Sequence, residues 1–109
     1  MQNYPKKTCT IEKLVTHKAM VKLVLNGQKT RQGRSGIYAY PGEEFELDGI
    51  RLRITALNQE RLGDMDDAAA KAEGYESLTE YKNLILSMHA GMEWDEDALV
   101  WVHHFKRLG

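Results

Sequence analysis

A chain of 109 residues, 42% hydrophobic and 28% charged, has the size and mix of one globular domain, residues 1–109, with a single core. No apolar run approaches the roughly 20 residues that span a bilayer, no signal-peptide core is seen, and one cysteine, Cys9, excludes an internal disulfide framework, so a cytoplasmic monomer is expected. The net charge of −1 conceals a division: residues 1–42 hold eight Lys/Arg against Glu12 alone (+7), and the remainder holds seven against fifteen acids (−8). This predicts a bipolar surface and argues against non-specific coating of DNA, which needs an overall basic domain.

Residues 1–7 read as a loosely ordered polar arm. Thr8 to Val15 has β-branched residues and partial alternation, which predicts a strand. Thr16 is a plausible cap for a helix over His17–Asn26, with Met20, Val21, Val24 and Leu25 on one face and Gly27 at its left-handed end. Lys18 and Lys22, four apart, share one face of that helix. Ile37–Tyr40 reads as a further strand, closed by the turn pair Pro41-Gly42.

The clearest local signal is the run from Glu43 to Thr55, in which Asp48-Gly49 supplies the positive φ angles of a two-residue hairpin turn. The register then sets Leu47 opposite Ile50 and Phe45 opposite Leu52 on the buried face. Glu46 meets Arg51 and Glu44 meets Arg53 on the other, so these charges are read as structural. Asp64 is expected to cap a helix over Met65–Glu73, ended by Gly74. Ser77-Leu78-Thr79-Glu80 is a capping box for a helix to about His89, striped by Leu78, Tyr81, Ile85 and Met88. An acidic loop, Met92–Asp97, surrounds Trp94. Leu99–Phe105 is apolar and aromatic on both faces, as a strand in the middle of a sheet should be. Grouped rather than alternating helices and several short strands indicate an α+β domain.

The chemistry concentrates at Gly27-Gln28-Lys29-Thr30-Arg31-Gln32-Gly33-Arg34, three cations and two glycines in a stretch where no acid occurs between Lys13 and Gly42. Glycines that admit a ligand to the backbone, beside long cationic side chains, suit an anionic partner, although a solvated basic loop has the same composition. Arg31 and Arg34 could bracket a backbone phosphate, and Tyr38, Tyr40 or Trp94 could stack on a base or pack in the core. His103 and His104 diverge on a strand, and with Cys9 the only cysteine no zinc spacing exists, so neither metal nor cofactor is expected. Cys9 reads as a buried, inert residue.

Three segments resemble the ASCH domains, a branch of the PUA-like β-barrel superfamily. They are the helix ending in Gly27-Gln28-Lys29-Thr30, the run from Glu73-Gly74-Tyr75 to Tyr81, and the closing strand Val100–Phe105. The resemblance implies a small β-barrel or strongly curved mixed sheet flanked by about three helices. It also implies a cleft in which Lys29 faces Glu73, and a role in binding RNA, nucleotides or modified nucleosides; from their chemistry, Lys29, Arg31, Gln32, Arg34, Tyr38 and Tyr40 are the expected ligand contacts. One branch consists of small bacterial amidohydrolases that deacetylate N4-acetylcytidine, which would make Lys29 and Glu73 a catalytic pair; a ribonuclease is the other hydrolytic alternative. Those amidohydrolases carry a Thr three positions after the lysine. Here that position is Gln32, and the nearest hydroxyl, Thr30, would point away from Lys29 on an extended strand.

Overall fold

The computed structural model describes residues 4–88, 91 and 93–108. A 3-10 turn, Ile11–Lys13, leads into helix α1 (Lys18–Leu25) and strand β1 (Arg31–Arg34). The hairpin of β2 (Glu44–Leu47) and β3 (Ile50–Arg61) follows, then a 3-10 turn at Leu62–Asp64, helices α2 (Asp67–Glu73) and α3 (Leu78–Met88), and strand β4 (Leu99–Arg107). The strands form one sheet in the order β1-β4-β3-β2, antiparallel at every pairing and curled into a half-barrel. Of the two architectures expected for this α+β chain, the open curved sheet is the one formed.

The hairpin has the register its sequence dictates, with Leu47 opposite Ile50, Phe45 opposite Leu52, Glu46 opposite Arg51 and Glu44 opposite Arg53. Asp48 (φ 50°) and Gly49 (φ 82°) make the turn, both in the left-handed region. Beyond the predicted end at Thr55, β3 runs on to Arg61, and its pairing with β4 shifts between Ile54 and Ala56. That bulge has a large effect. Without the extra residue, Asn58 and Glu60 would continue on the core face of Leu52 and Ile54; with it, Leu57 takes the core face and Asn58 and Glu60 turn to the other.

The main core lies between the sheet, α1 and the 3-10 turn, with Leu14, Val24, Leu52, Ile54 and the edge-to-face pair Phe45 and Phe105 at its centre. A second cluster joins α2 to α3 through Met65, Ala70 and Tyr81, with Tyr75, Ile85 and Trp94 packed on it. Gly74, in the left-handed conformation (φ 107°), ends α2 directly against α1: a Cβ there would lie 3.0 Å from Leu23 Cδ1 and 3.1 Å from Met20 Sδ.

Several local expectations are corrected. Thr8–Val15 is not a strand; Leu14 and Val15 are both buried, which alternation forbids, and the chain turns through Ile11–Lys13 instead. Ile37–Tyr40 is not a strand: Tyr38 N–H donates to His103 Nε2 (3.0 Å) and Tyr40 N–H to Glu43 Oε2, so side chains take the donors a neighbouring strand would have taken, while Ile37 O accepts the Thr8 N–H (2.9 Å). The cap of α2 is Asp66, which accepts the Ala69 N–H, since Met65 is extended. At α1 the cap position is His17, whose side chain makes no capping bond. In the capping box of α3, Ser77 Oγ accepts the Glu80 N–H as expected, while Glu80 reaches back to Glu76 N–H. Residues 4–7 of the supposed arm make defined contacts: Tyr4 stacks on Tyr40, Tyr40 Oη donates to Pro5 O, and Lys7 pairs with Glu43 at 2.6 Å. The expected helix end at His89, the Met88 side chain and Met92 lie outside the described residues.

Candidate functional site

The site grows from two chain ends that meet. Gly27 (φ 86°) turns the chain out of α1, and Lys29 N–H donates to Leu23 O, which folds the lysine back under the helix. Thr30 N–H donates to Ala72 O, so the start of β1 abuts the last turn of α2 and its final residue, Glu73. Lys29, Arg31 and Glu73 are all buried, with 2%, 7% and 2% of their surfaces exposed.

Lys29 Nζ donates to the Glu73 backbone carbonyl and lies 3.7 Å from Glu73 Oε1. Arg31 Nε donates to Glu73 Oε2 at 2.7 Å, and Gly33 N–H donates to Oε1 at 3.1 Å. The other two guanidinium nitrogens of Arg31 form a bidentate pair with Glu60, at 3.0 and 3.2 Å. Glu60 is in turn held by Asn58 Nδ2 (3.0 Å), and Asn58 Oδ1 meets His104 Nε2 (2.8 Å). Two acids and two cations thus alternate from the end of α2 to the far face of β3, the arrangement that lets buried charges survive.

The electrostatics follow from burial. Desolvation pushes the Lys29 ammonium down to about 8; Glu73 opposes the fall, while Arg34 and Arg31 add to it. For Arg31 burial acts against the charge, but the hydrogen bonds to Glu73 and Glu60 outweigh it and raise its value. Glu60 is lowered: burial resists, and the bonds from Arg31 and Asn58 prevail. An amine poised near 8 beside a carboxylate fixed by two donors can bind a polar or anionic group, or pass a proton close to neutral pH.

The other expected residues are distributed as follows. Arg34 donates to Leu14 O (2.7 Å) and Lys13 O (3.3 Å) and lies over the Tyr38 ring, so its guanidinium ties β1 to the turn before α1. Gln32 Nε2 bonds Gly33 O, and the Gln32 backbone carbonyl meets His103 Nδ1 at 3.1 Å. Thr30 is exposed while its neighbour Lys29 is buried, so the hydroxyl and the ammonium are not brought together. Tyr38 is edge-on to His103, and Tyr40 is engaged with the N-terminal segment. Trp94 packs on Tyr81 with Lys82 over its ring. Among the described residues no three His, Cys, Asp or Glu side chains cluster to hold a metal ion, and no helix is long and apolar enough to cross a membrane.

Two participants escaped the sequence reading. Glu60 stands 29 positions from Arg31, and its signal was the solitary position of Arg31 in an acid-free stretch: a buried guanidinium there must find its acids far away in sequence. His103, fully buried, is a strut joining Tyr38 N–H to Gln32 O. A histidine flanked by valine and aromatics in a central strand was the available sign.

No protein-family model and no curated protein matches the chain. Among solved structures it is similar to an ASCH domain from Lactobacillus crispatus JV V101, with a TM-score of 0.64 and 20% identity over 81% of this chain and 69% of that one. It is also similar to a DUF984 protein from Enterococcus faecalis V583, with a TM-score of 0.55 and 18% identity over 81% of this chain and 66% of that one. The chain therefore spans about two thirds of the length of each. The sheet order, the helices and these two likenesses together give the chain an ASCH-like fold.

Proposed function

We propose that the chain is an RNA- or nucleotide-binding module whose ligand centre is formed by Lys29, Arg31 and Glu73. The observation that carries this reading is Lys29 itself. A buried ammonium lowered to about 8, with its backbone fixed by Leu23 O and its head beside Glu73, is costly to maintain and is poised for a polar ligand. The +7 charge of residues 1–42 supplies the field that draws a polyanion. The test is fluorescence anisotropy with a short labelled single-stranded RNA, and calorimetry with cytidine and N4-acetylcytidine. Binding that weakens with salt and with Lys29→Ala is expected; no binding of RNA or nucleosides at low salt ends the reading.

A second reading, a small hydrolase acting on an acylated nucleoside or on RNA, is favoured by the same lowered lysine. With Gln32 in place of a hydroxyl, water is the nucleophile: neutral Lys29 takes its proton as it adds to the acyl carbon, and the ammonium returns a proton to the departing amine. Incubation with N4-acetylcytidine, followed chromatographically, should then give cytidine and acetate at a rate that rises towards pH 8 and vanishes in Lys29→Ala. No cytidine from the wild-type protein disposes of the amidohydrolase.

A further inference from the structure

The cations of the acid-free stretch sort into two sets. Lys29 and Arg31 are buried and bonded to Glu73 and Glu60, and Arg34 donates to the carbonyls of Lys13 and Leu14. To hold a phosphate, Arg31 would have to give up its bonds to two carboxylates, leaving Glu73 to Gly33 N–H and Lys29 and Glu60 to Asn58 alone. Lys13, Lys18 and Lys22, in contrast, are exposed and make no ion pair among the described residues.

We infer that the nucleic-acid backbone is tracked by the lysine face of α1 and the turn before it, Lys13, Lys18 and Lys22, and not by Arg31 and Arg34. This rests on the RNA-binding reading above and names the surface that makes it work. The arginines elsewhere on the sheet surface are matched: Arg51 and Arg53 pair with Glu44, and Arg61 pairs with Asp64 and Asp97. The helix that bears Lys18 and Lys22 has no acid in its first turn, and its His17 cap position offers no capping bond. Lys18 therefore adds a positive charge to the positive end of the helix, and Lys22, in the last turn, stands one turn from Lys18, so two like charges repel along one face. Lys18 and Lys22, exposed and one turn apart on α1, are supplied with their counter-charge by a polyanion. Lysines are point charges on flexible stems, without the planar fork that reads a base edge or grips one phosphate, so they suit sequence-independent contact with a single strand.

The experiment compares two variants of equal net charge in anisotropy with a short single-stranded RNA across a salt series. K18Q/K22Q removes the proposed contacts; K71Q/K106Q removes two exposed lysines of α2 and β4 that also lack an ion pair among the described residues. If each lysine holds one phosphate, K18Q/K22Q lowers the slope of log affinity against log salt by about 1.4 and weakens binding about 25-fold at 0.1 M salt. Adding K13Q takes about a further 0.7 from the slope, while K71Q/K106Q stays within about twofold of the wild type. Equal losses in the two double variants would mean that only net charge matters, and unchanged binding in K18Q/K22Q would place the backbone elsewhere; either overturns the inference while leaving the RNA-binding reading standing. A wild-type protein that binds no RNA ends the inference, and one that binds neither RNA nor nucleosides ends both.

Discussion

Glu73→Gln is the most informative single change, because it keeps the shape of the side chain and removes the charge on which Lys29, Arg31 and Gly33 converge. Lys29 limits the damage, since it can shed its proton: holding an amine neutral at pH 7 against an ordinary value of 10.5 costs about 5 kcal/mol. The native value near 8 already embodies most of that penalty, so the further loss through Lys29 is the smaller remainder, on the order of 1 kcal/mol. An imperfectly paired Gly33 N–H adds about 1–3 kcal/mol, while Arg31 keeps Glu60. The expected loss is about 3 kcal/mol at pH 7, a large share of a small domain's stability. Its pH dependence is diagnostic. A lysine lowered in the folded state leaves the unfolded chain with more bound protons, so stability rises with pH between the folded value and 10.5, by about 1.4 kcal/mol per unit. The wild type gains in this way only above about 8, whereas the variant, its Lys29 lowered further, gains from below 7. The gap should therefore narrow between pH 6.5 and 8 and then stay level. Urea unfolding followed by circular dichroism at pH 6.5, 7, 8 and 9 measures it. K29M/E73Q, which removes the stranded amine, should be more stable than Glu73→Gln alone by about 1 kcal/mol or more. A loss below about 1 kcal/mol, a gap that does not change with pH, or a double variant that loses the sum of the single losses would refute the buried-pair argument.

Gly74→Ala should lower stability by about 1–2 kcal/mol, read as a fall in Tm, because it forces a Cβ into a positive φ and against Leu23 and Met20. His103 is lowered chiefly by burial, with Arg34 adding and Glu73 opposing, so below about pH 6.5 the unfolded chain takes the extra proton and stability falls by up to about 1.4 kcal/mol per unit. His104, lowered by burial and then by Arg31, contributes in the same window. His103→Gln should flatten the acid side of a Tm-against-pH profile; an unchanged profile would mean that the strut to Tyr38 does not titrate. Glu44→Lys sets like charges beside Arg51 and Arg53 and should cost about 1 kcal/mol at low salt, largely restored at 1 M salt.

The hairpin was legible down to its register because everything that decides it is local: a two-residue turn with positive φ, alternation, and cross-strand charges within a dozen residues. The meeting of Lys29 with Glu73 was expected from a family resemblance and not from spacing, and Glu60 was missed because it reaches Arg31 only after a bulge inverts the alternation of β3. A bulge has no fixed sequence signature, so Ala56 to Arg61 offered nothing to extend the strand with confidence in its facing. The segment Ile37–Tyr40 misled for the opposite reason. Its residues favour strand pairing, but its N–H groups end on the His103 ring and the Glu43 carboxylate and its carbonyls take the N–H groups of Thr8 and Glu43, which no local pattern encodes.

The junction of α2 with β1 also bears on how copies of the chain avoid one another. β1 lies at one edge of the sheet, where open N–H groups would template pairing with a second molecule. Glu73 takes the N–H of Gly33 and Ala72 takes that of Thr30, so the helix end acts as a stopper on this edge, while the opposite edge, β2, is guarded by the exposed carboxylates of Glu44 and Glu46. Loss of the Glu73 charge would then open a templating edge, and variants at this position would aggregate at concentrations where the wild type stays dispersed.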